Sequence, residues 1–253
     1  MFPEERRSKI LNILNRQGRC LVAEVAETLG VSEVTVRQDL DVLEKEGLLR
    51  RTHGGAISNS KTAHERPFQI EETSCQIEKE QIAEAAAKLI SPGDTVILDV
   101  GTTVTALAKK LTNIAHLTII TNALNIAGIL EENRDITTIV TGGTLRAQQH
   151  SLVNPYASLI LEKIHVDTAF IGISGIKSGF GITNVNIAEA EMKSLFVKAA
   201  KRRIVLADSS KIGKIHLAKV ASISEIDLLI TDKNADRDEL QMLREEGLDI
   251  KLV

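Results

Sequence analysis

The sequence predicts a small, mainly helical N-terminal domain followed by a larger α/β domain built on a mostly parallel sheet. Three observations predict this architecture. Three helical patterns, with a glycine turn before the third, fill the first fifty residues. A small polar segment follows at residues 58–62. Beyond residue 94, short apolar runs alternate with helical stretches, which is typical of buried strands covered by helices on both faces of a sheet.

The composition limits the classes of function. The chain has 253 residues, 43% of them hydrophobic, and a net charge of −3. Aromatic residues make up only 2%, so a stacking platform for single-stranded nucleic acid is not expected. The sequence contains neither a signal-peptide pattern nor a run of about 18 apolar residues, so we expect a cytoplasmic protein without a membrane partner. Cys20 and Cys75 stand in helical patterns far apart and are expected to stay reduced.

The three N-terminal helical patterns are each ended by a glycine. Apolar residues at helical spacing predict helices over residues 4–17, 21–29 and 33–46. The glycines that follow them are Gly18, Gly30 and Gly47. Ser32 can cap the third helix by accepting a hydrogen bond from its first turn. A tight turn between the second and third helices is the skeleton of a helix-turn-helix.

The third predicted helix carries a polar surface at its N-terminal end. Val36, Leu40 and Leu43 form its buried stripe, spaced at i, i+4 and i+7. The capping residue and the residues expected on or beside the opposite face are Ser32, Val34, Thr35, Arg37 and Gln38. A recognition helix places the groups that read bases and touch phosphates at this end. We therefore predict that these residues contact double-stranded DNA.

A β-hairpin is predicted directly after the third helix. Two short β-capable runs flank Gly54-Gly55, as in the wing of a winged helix. Arg50, Arg51 and His53 lie in or beside this wing and are predicted to contact the DNA backbone. Residues 1–57 contain nine Lys/Arg and nine Asp/Glu, so a positive field requires local clusters of cations. Such clusters stand at Arg6, Arg7, Lys9, Arg50 and Arg51.

The first sixty residues resemble a known family. The residues that carry the resemblance are Arg6, Ile10, Leu14, Ser32, Thr35, Val36, Arg37, Asp39, Leu40 and the sequence HGGA at 53–56. In type and spacing they resemble the signature of the DeoR family of bacterial transcriptional regulators, which implies a winged helix-turn-helix that binds operator DNA. The family often has a second basic residue after Arg37, where this chain has Gln38. Glutamine can pair with adenine whereas arginine prefers guanine, so the operator is expected to differ accordingly.

The remaining chain divides at its polar segment. Ser58–Thr62 marks the boundary, so we predict a DNA-binding domain over 1–57, a linker with the start of a connecting helix over 58–74, and an α/β domain over 75–253. Strands are predicted over 95–100, 117–121, 136–141, 166–172, 203–207, 228–231 and 250–253. Helices are predicted over 65–90, 103–111, 123–131, 151–163, 188–200 and 237–246.

Polar residues and glycines follow several of the predicted strands. They are Asp99, Gly101, Thr102, Thr103, Thr121, Asn122, Gly142, Gly143, Arg146, Ser174, Gly175, Asp208 and Lys211. The carboxyl ends of strands in an open α/β sheet line the ligand crevice, so these residues are expected to converge on one site. The run Gly101-Thr102-Thr103 at a helix start would present N–H groups and hydroxyls to an anion such as phosphate. An ordinary capped helix start would have the same sequence.

The larger domain resembles the effector domain of the same family. The resemblance rests on Gly101–Thr103, Thr141–Gly143, Gly172 and Asp208–Lys211. It implies a fold related to ribose-5-phosphate isomerase and glucosamine-6-phosphate deaminase, with phosphorylated sugars as the ligand class. Asn154 stands before Pro155, where the family commonly has glycine. Asparagine tolerates a positive φ better than most residues, so it can replace glycine if the segment requires one.

The rival interpretation is a sugar-phosphate isomerase or deaminase with a helical appendage. Such an enzyme needs a positioned general base and acid, and the candidates by residue type are Asp99, His150, Asp167, Glu189 and Asp208. No segment resembling the paired-carboxylate loop of those enzymes follows the fourth strand, so we predict a binding site without catalytic residues. The histidines and cysteines lack metal-ligand spacing, so neither a metal nor another cofactor is expected.

The expected mode of action combines the two domains. A homo-oligomer, either a dimer or a tetramer, would present paired winged helices to two operator half-sites. Residues 78–88 could support this self-association or pack within their own domain. A phosphorylated sugar bound at the strand ends would change the spacing or orientation of the DNA-reading domains, through its different affinity for the two states. The resemblance favours repression relieved by the sugar phosphate over activation.

Overall fold

The computed structural model describes residues 1–58 and 65–253. The chain forms two compact units, Met1–Cys75 and Gln76–Val253. Most of the predicted polar linker, residues 59–64, lies outside the described residues. Among the described residues, no helix has both the length and the apolar character needed to cross a membrane.

The N-terminal unit has the elements of a winged helix. In chain order they are α1 (Pro3–Gln17), β1 (Arg19–Leu21), α2 (Val22–Leu29), α3 (Glu33–Lys45), β2 (Leu49–Thr52), β3 (Gly55–Ser58) and α4 (Phe68–Glu72). The three predicted helices and the hairpin β2–β3 are confirmed. Strand β1 differs from the helical pattern around Cys20, because residues 19–21 pair antiparallel with β3 instead of opening α2. The sheet order is β1-β3-β2.

One apolar core holds this unit together. Ile10 and Leu14 of α1 pack with Val36 and Leu40 of α3, and all four are fully buried. Burying side chains of this size contributes about 1.5–3 kcal/mol each relative to exposure. The recognition helix predicted from the stripe of apolar residues therefore has its inner face fixed by α1.

The C-terminal unit alternates strands and helices along most of its length. Its elements are α5 (Gln76–Ala87), β4 (Thr95–Leu98), α6 (Thr102–Leu111), β5 (Thr118–Thr121), α7 (Leu124–Leu130), β6 (Thr137–Val140), β7 (Thr144–Arg146), β8 (Ser151–Val153), α8 (Ala157–Leu161), β9 (Val166–Gly172), β10 (Gly175–Lys177), β11 (Gly181–Asn184), α9 (Ile187–Ala199), β12 (Ala200–Leu206), β13 (Ala218–Ala221), β14 (Leu228–Thr231), α10 (Arg237–Glu245) and β15 (Asp249–Leu252). Short 3₁₀ helices cover Ala147–Gln149, Ser209–Lys211 and Ile223–Glu225.

The seven predicted strands form one parallel sheet. Its order is β15-β14-β12-β9-β4-β5-β6, and every neighbouring pair is parallel. The chain builds outward from β4 to β6 and then returns to add β9 on the other side of β4. The order therefore reverses between β4 and β9, and the crevice at the carboxyl ends of two such strands is where open α/β sheets bind ligands.

The sheet is buried on both faces. Along β4, Val96 and Leu98 belong to one apolar cluster and Ile97 belongs to another, as expected when successive side chains of a strand point to opposite faces. Strand β5 repeats this with Ile119 and Ile120. The apolar, β-branched runs of the sequence are explained by this two-sided burial.

Two predicted helices differ from the structure. The predicted helix over 151–163 is wrong at its start, because Ser151–Val153 pair with β7 as strand β8 and only Ala157–Leu161 are helical. Pro155 lacks the N–H that a continuous helix would use there. The predicted helical region 65–90 is interrupted at Cys75, which has φ 50°. Cys20 and Cys75 are both free thiols.

Candidate DNA-reading surface and effector site

The N-terminus of α3 is capped as the sequence predicts. The Ser32 hydroxyl accepts a hydrogen bond from the Thr35 backbone N–H at 3.1 Å, and the two hydroxyl oxygens are 2.8 Å apart. A serine cap of this kind stabilises a helix by about 1 kcal/mol. The cap therefore fixes where α3 begins and hence which residues stand at its exposed N-terminal end.

The predicted DNA-contacting residues of α3 lie on its accessible side. Val34, Arg37 and Gln38 are exposed, and Thr35 is half-buried. Arg37 donates from Nη2 to Glu33 Oε2 at 2.6 Å, one turn earlier on the same helix. Both side chains are about half exposed, and an exposed pair of this kind is worth less than about 1 kcal/mol. The guanidinium is thus held near the helix N-terminus by a contact that DNA can readily replace.

Arg6 and Arg7 were expected to contribute to a positive field, but in the structure they pair with a carboxylate inside the domain. Both side chains of α1 donate to Asp39 on α3, which is 2% exposed. Arg6 reaches both carboxylate oxygens, and Arg7 Nε donates to Oδ1 at 3.1 Å. The hydrogen bond to Asp39 raises the pKa of Arg6 above its ordinary value. These cations neutralise a buried carboxylate and tie α1 to α3.

The three wing residues predicted to contact DNA differ in their exposure. Arg50 and His53 are exposed on the hairpin. Arg51 is partly buried; its backbone N–H donates to Glu44 Oε1 at 2.7 Å, and its Nε lies 3.4 Å from Asp41 Oδ1. Arg51 therefore joins the wing to α3, whereas Arg50 and His53 are turned to solvent, as is Thr52 between them.

A glycine sets how closely the wing packs. A Cβ atom at Gly55 would lie 1.9 Å from the carbonyl oxygen of Cys20, which is far inside van der Waals contact. Strand β3 can pair with both β1 and β2 only because this position has no side chain. The glycine thus has a packing role in addition to its predicted role in the turn.

At the strand-order reversal of the larger unit lies a buried ion pair. Asp99 follows β4 and is fully buried; its Oδ2 accepts from Lys193 Nζ and, at 3.0 Å, from the Gly172 N–H at the end of β9. Burial raises the pKa of the Asp99 carboxyl to about 6, although Lys193 opposes the rise. Within residues 1–58 and 65–253, Oδ1 has no hydrogen-bond partner. One acceptor atom in the interior is therefore unused.

The predicted anion-binding loop, Gly101–Thr103, begins two residues after Asp99 in the chain. Gly101 has φ 147° and precedes α6, so the helix starts at Thr102, one residue before the predicted start at Thr103. The Gly101 carbonyl accepts from the Thr105 N–H at 2.8 Å and from the Thr105 hydroxyl at 2.9 Å. Thr102 is half-buried and Thr103 is buried. The first N–H groups of a helix have no partner within it, so this turn can donate to an anion.

Thr121 and Asn122 are occupied by internal contacts. Both are fully buried after β5. Asn122 accepts from the Val100 N–H at 3.2 Å and donates to the Leu152 carbonyl at 3.1 Å, while the Thr121 hydroxyl accepts from the Ala123 N–H at 3.0 Å. Asn122 therefore joins the ends of β4 and β5 to the hairpin β7–β8, whereas the Thr121 hydroxyl bonds within its own turn. A ligand could contact Thr121 or Asn122 as predicted only if it shared the atoms that already make these internal hydrogen bonds.

A second buried carboxylate joins Arg146 and Ser174 to the site. Glu189 on α9 accepts from Arg146, from the Ser151 hydroxyl at 2.7 Å and from Asn184 at 3.2 Å. Ser174 in turn donates to Asn184 at 2.5 Å. The negative charge of Glu189 is one of the causes that raise the pKa of Asp99, so both carboxylates belong to one electrostatic environment.

The other predicted residues stand at neighbouring strand ends. Gly142 and Gly143 follow β6, and Gly143 packs so closely that a Cβ would lie 2.2 Å from the Val153 carbonyl oxygen. Gly175 opens β10, next to the backbone of Lys214. Asp208 follows β12, is 1% exposed and accepts from the Ser210 N–H at 3.0 Å. Lys211 ends the 3₁₀ turn that Asp208 caps.

Sequence reasoning missed the contribution of α9. Lys193 was not among the predicted site residues, and Glu189 was considered only as a catalytic candidate. The two are one helical turn apart and nearly fully buried, a combination that is uncommon for charged residues unless they are paired. Their i, i+4 spacing is visible in the sequence, but their burial is not. Asn154, by contrast, is not among the residues with positive φ, so the segment before Pro155 does not need glycine's conformation.

The fold and these surfaces define a class of protein, a transcriptional regulator that joins a DNA-binding winged helix to a sensor domain. Residues 6–62 match the model of the DeoR-like helix-turn-helix domain, and residues 74–233 match that of the DeoR C-terminal sensor domain. The chain therefore belongs to the DeoR family of transcriptional regulators.

Relatives of this chain match it over its full length. The HTH-type transcriptional regulator GolR of Listeria innocua is 35% identical over 100% of this chain and 99% of its own length. The lactose phosphotransferase system repressor of Streptococcus mutans is 38% identical over 96% of this chain and 97% of its own. Among solved structures, ribose 5-phosphate isomerase A of Methanocaldococcus jannaschii matches 55% of each chain, with a TM-score of 0.41 and 18% identity.

Proposed function

We propose that this regulator is a repressor of a sugar-metabolism operon and that a phosphorylated sugar bound at the β4–β9 crevice controls its DNA binding. The observation that carries the proposal is the unused Asp99 Oδ1 beside the glycine–threonine start of α6. A helix N-terminus favours a phosphate. A buried carboxylate oxygen that lacks a donor favours a hydroxyl group on the same ligand, because an unpaired buried acceptor is unfavourable.

The charges around the crevice permit an anionic ligand, because the two buried carboxylates there are already paired with cations. Lys193 and Arg146 face the two buried carboxylates Asp99 and Glu189, which leaves the local charge near balance before a ligand enters. Lys211 stands at the neighbouring end of β12. The S. mutans relative is named as a repressor of a sugar phosphotransferase system, which is consistent with a sugar phosphate as effector.

We propose that the site binds its ligand without turning it over. Two of the buried carboxylates that could act as a general base are paired with a cation, Asp99 with Lys193 and Glu189 with Arg146, and the third, Asp208, accepts from the Ser210 N–H. Glu189 also accepts two further hydrogen bonds. The named full-length relatives are transcriptional regulators. Turnover of ribose 5-phosphate or glucosamine 6-phosphate at an enzymatic rate would contradict this part.

We propose the following roles for the DNA-reading residues. Arg37 and Gln38 suit guanine and adenine in the major groove, and Val34 suits a thymine methyl group. Ser32 and Thr35 at the helix start, and Arg50 and His53 on the wing, suit phosphate contacts. Arg51 acts through its contacts with Asp41 and Glu44, which place the wing. A homo-oligomer would bring two such surfaces to two half-sites.

Selection from random double-stranded DNA gives an operator sequence directly. Thermal-shift measurements then compare free sugars with their phosphates, and a hit is added to a gel shift on the selected operator. A ligand at a hundred times its dissociation constant stabilises the protein by about 2.7 kcal/mol. The proposal predicts that phosphorylated but not free sugars raise the melting temperature, and that the same compounds release the DNA. Release by free sugars alone would refute it.

A further inference from the structure

Beside α9 lies a groove that the effector site does not use. We define the α9 groove by its lining: Asn154, Pro155, Ser158, Ile187, Ala190, Glu191, Ser194, Leu195, Lys198, Ala218 and Lys219. It is open to solvent and has a volume of about 490 Å³. Ile187 at its entrance is 58% exposed. A single exposed apolar residue is common on protein surfaces, but several of them grouped beside a groove, here Ile187 with Tyr156 and Leu159, can mark an interaction surface.

One wall of the groove also carries exposed apolar side chains on its outer side. Helix α8 buries Ala157 and Leu161, turns Ser158 to the groove, and leaves Tyr156 and Leu159 61% and 60% exposed. We call Tyr156, Leu159 and the exposed Glu162 the α8 crest. The crest presents two large apolar side chains and an acid, and the groove beside it presents apolar side chains with two lysines, Lys198 and Lys219, and one acid, Glu191. The groove side chains carry a net positive charge and the crest a negative one, so in charge and apolar character the crest suits the groove.

We propose that the α8 crest of one copy of this chain docks into the α9 groove of a second copy, and reciprocally. Two surfaces of complementary charge that lie side by side on one chain suit an isologous contact, because a two-fold axis makes both contacts at once. The acid of the crest would meet the lysines of the partner's groove. This proposal rests on the proposed homo-oligomer and places its interface, which the sequence had connected with residues 78–88.

The mass of the full chain in solution tests the interface. Leu159→Glu puts a charge on the crest where the apolar contact forms, and we expect sedimentation velocity to give half the wild-type mass, with a dissociation constant raised at least about 30-fold. The matched control is Met242→Glu, since Met242 is a 42% exposed side chain of α10 outside the groove. Its mass should equal that of the wild type. Circular dichroism verifies that both variants are folded.

A charge exchange tests the orientation of the contact. Glu162→Lys and Lys198→Glu should each weaken association, and the double variant should recover at least part of it. Wild-type mass in Leu159→Glu would overturn the proposed interface while leaving the oligomer in place. A monomeric wild-type chain would overturn both. Thermal shifts induced by sugar phosphates should remain detectable in Leu159→Glu, although coupling to self-association can alter their size; their complete loss would count against separate surfaces on α9 and not against the effector site.

Discussion

Replacing Lys193 by methionine isolates the buried ion pair at the centre of the proposed effector site. Methionine keeps most of the volume of the lysine side chain but leaves the carboxylate of Asp99, which is fully buried, without its cation. Removing one partner of a buried pair typically destabilises a protein by about 3–5 kcal/mol. We expect a loss of that size in the free energy of unfolding at pH 8. Lys88→Met, at a side chain 67% exposed, should change it by less than about 0.5 kcal/mol.

The loss should depend on pH in a defined direction. The pKa of Asp99 is raised from 3.8 to about 6 in the folded chain, so between about pH 4 and 6 the folded state holds this proton more tightly than the unfolded state. The contribution of Asp99 to stability therefore falls as pH rises through that window. Without Lys193 the pKa of Asp99 rises further, so the pH range over which stability falls extends to higher pH. The difference between variant and wild type should shrink as pH falls from 8 towards 6, by roughly 1.4 kcal/mol per pH unit between the pKa of Asp99 in the variant and its wild-type value of about 6, and should stay nearly constant below that.

Urea titrations of the full chain, followed by circular dichroism at pH 5, 6.5 and 8, measure these differences. Asp99→Asn combined with Lys193→Met should be more stable at pH 8 than Lys193→Met alone, because the double variant buries no charge at this pair. An equal loss at all three pH values would refute the electrostatic reasoning and assign the effect of Lys193 to packing.

Three further predictions test the other parts. Arg37→Ala should reduce the preference for operator over random DNA by about 10–100-fold in fluorescence anisotropy and leave thermal shifts by sugar phosphates unchanged; unaltered preference would exclude Arg37 from base reading. Thr102→Val should weaken the effector by roughly 10-fold or more without changing operator affinity in its absence, and loss of DNA binding too would contradict separate sites. Gly55→Ala should cost at least about 1–3 kcal/mol because of the clash with Cys20, whereas Gly54→Ala, with nothing within 4 Å, should melt like the wild type.

Features fixed by neighbouring residues were predictable from sequence. The Ser32 cap and the start of α6 after Gly101 depend on a few consecutive residues, and both lie within one residue of where the pattern placed them. The parallel sheet was also predictable, because burial on both faces requires continuous apolar strands. Strand β8 was not, since Ser151–Val153 become a strand only through pairing with β7.

The composition of the candidate site depends on contacts that sequence spacing does not reveal. Lys193 and Asp99 are 94 residues apart, and only the packing of α9 against the end of β4 turns them into a buried pair. Asn122 is the opposite case, because its residue type and position predict a ligand contact while both ends of its amide have partners inside the protein. The ligand roles of the strand-end residues stay predictions.

Helix α9 borders both the proposed effector site and the proposed contact with a second copy. Glu189 and Lys193 occupy its buried side, whereas Glu191 and Lys198 occupy its exposed side and line the groove. If the effector binds on the first side and a second copy on the other, the two equilibria are linked, and the coupling must be reciprocal. The affinity for the effector would then depend on the concentration of the protein itself. The dissociation constant for the effector, measured at nanomolar and at micromolar protein concentration, would differ by the same factor by which the effector alters the dissociation constant of self-association.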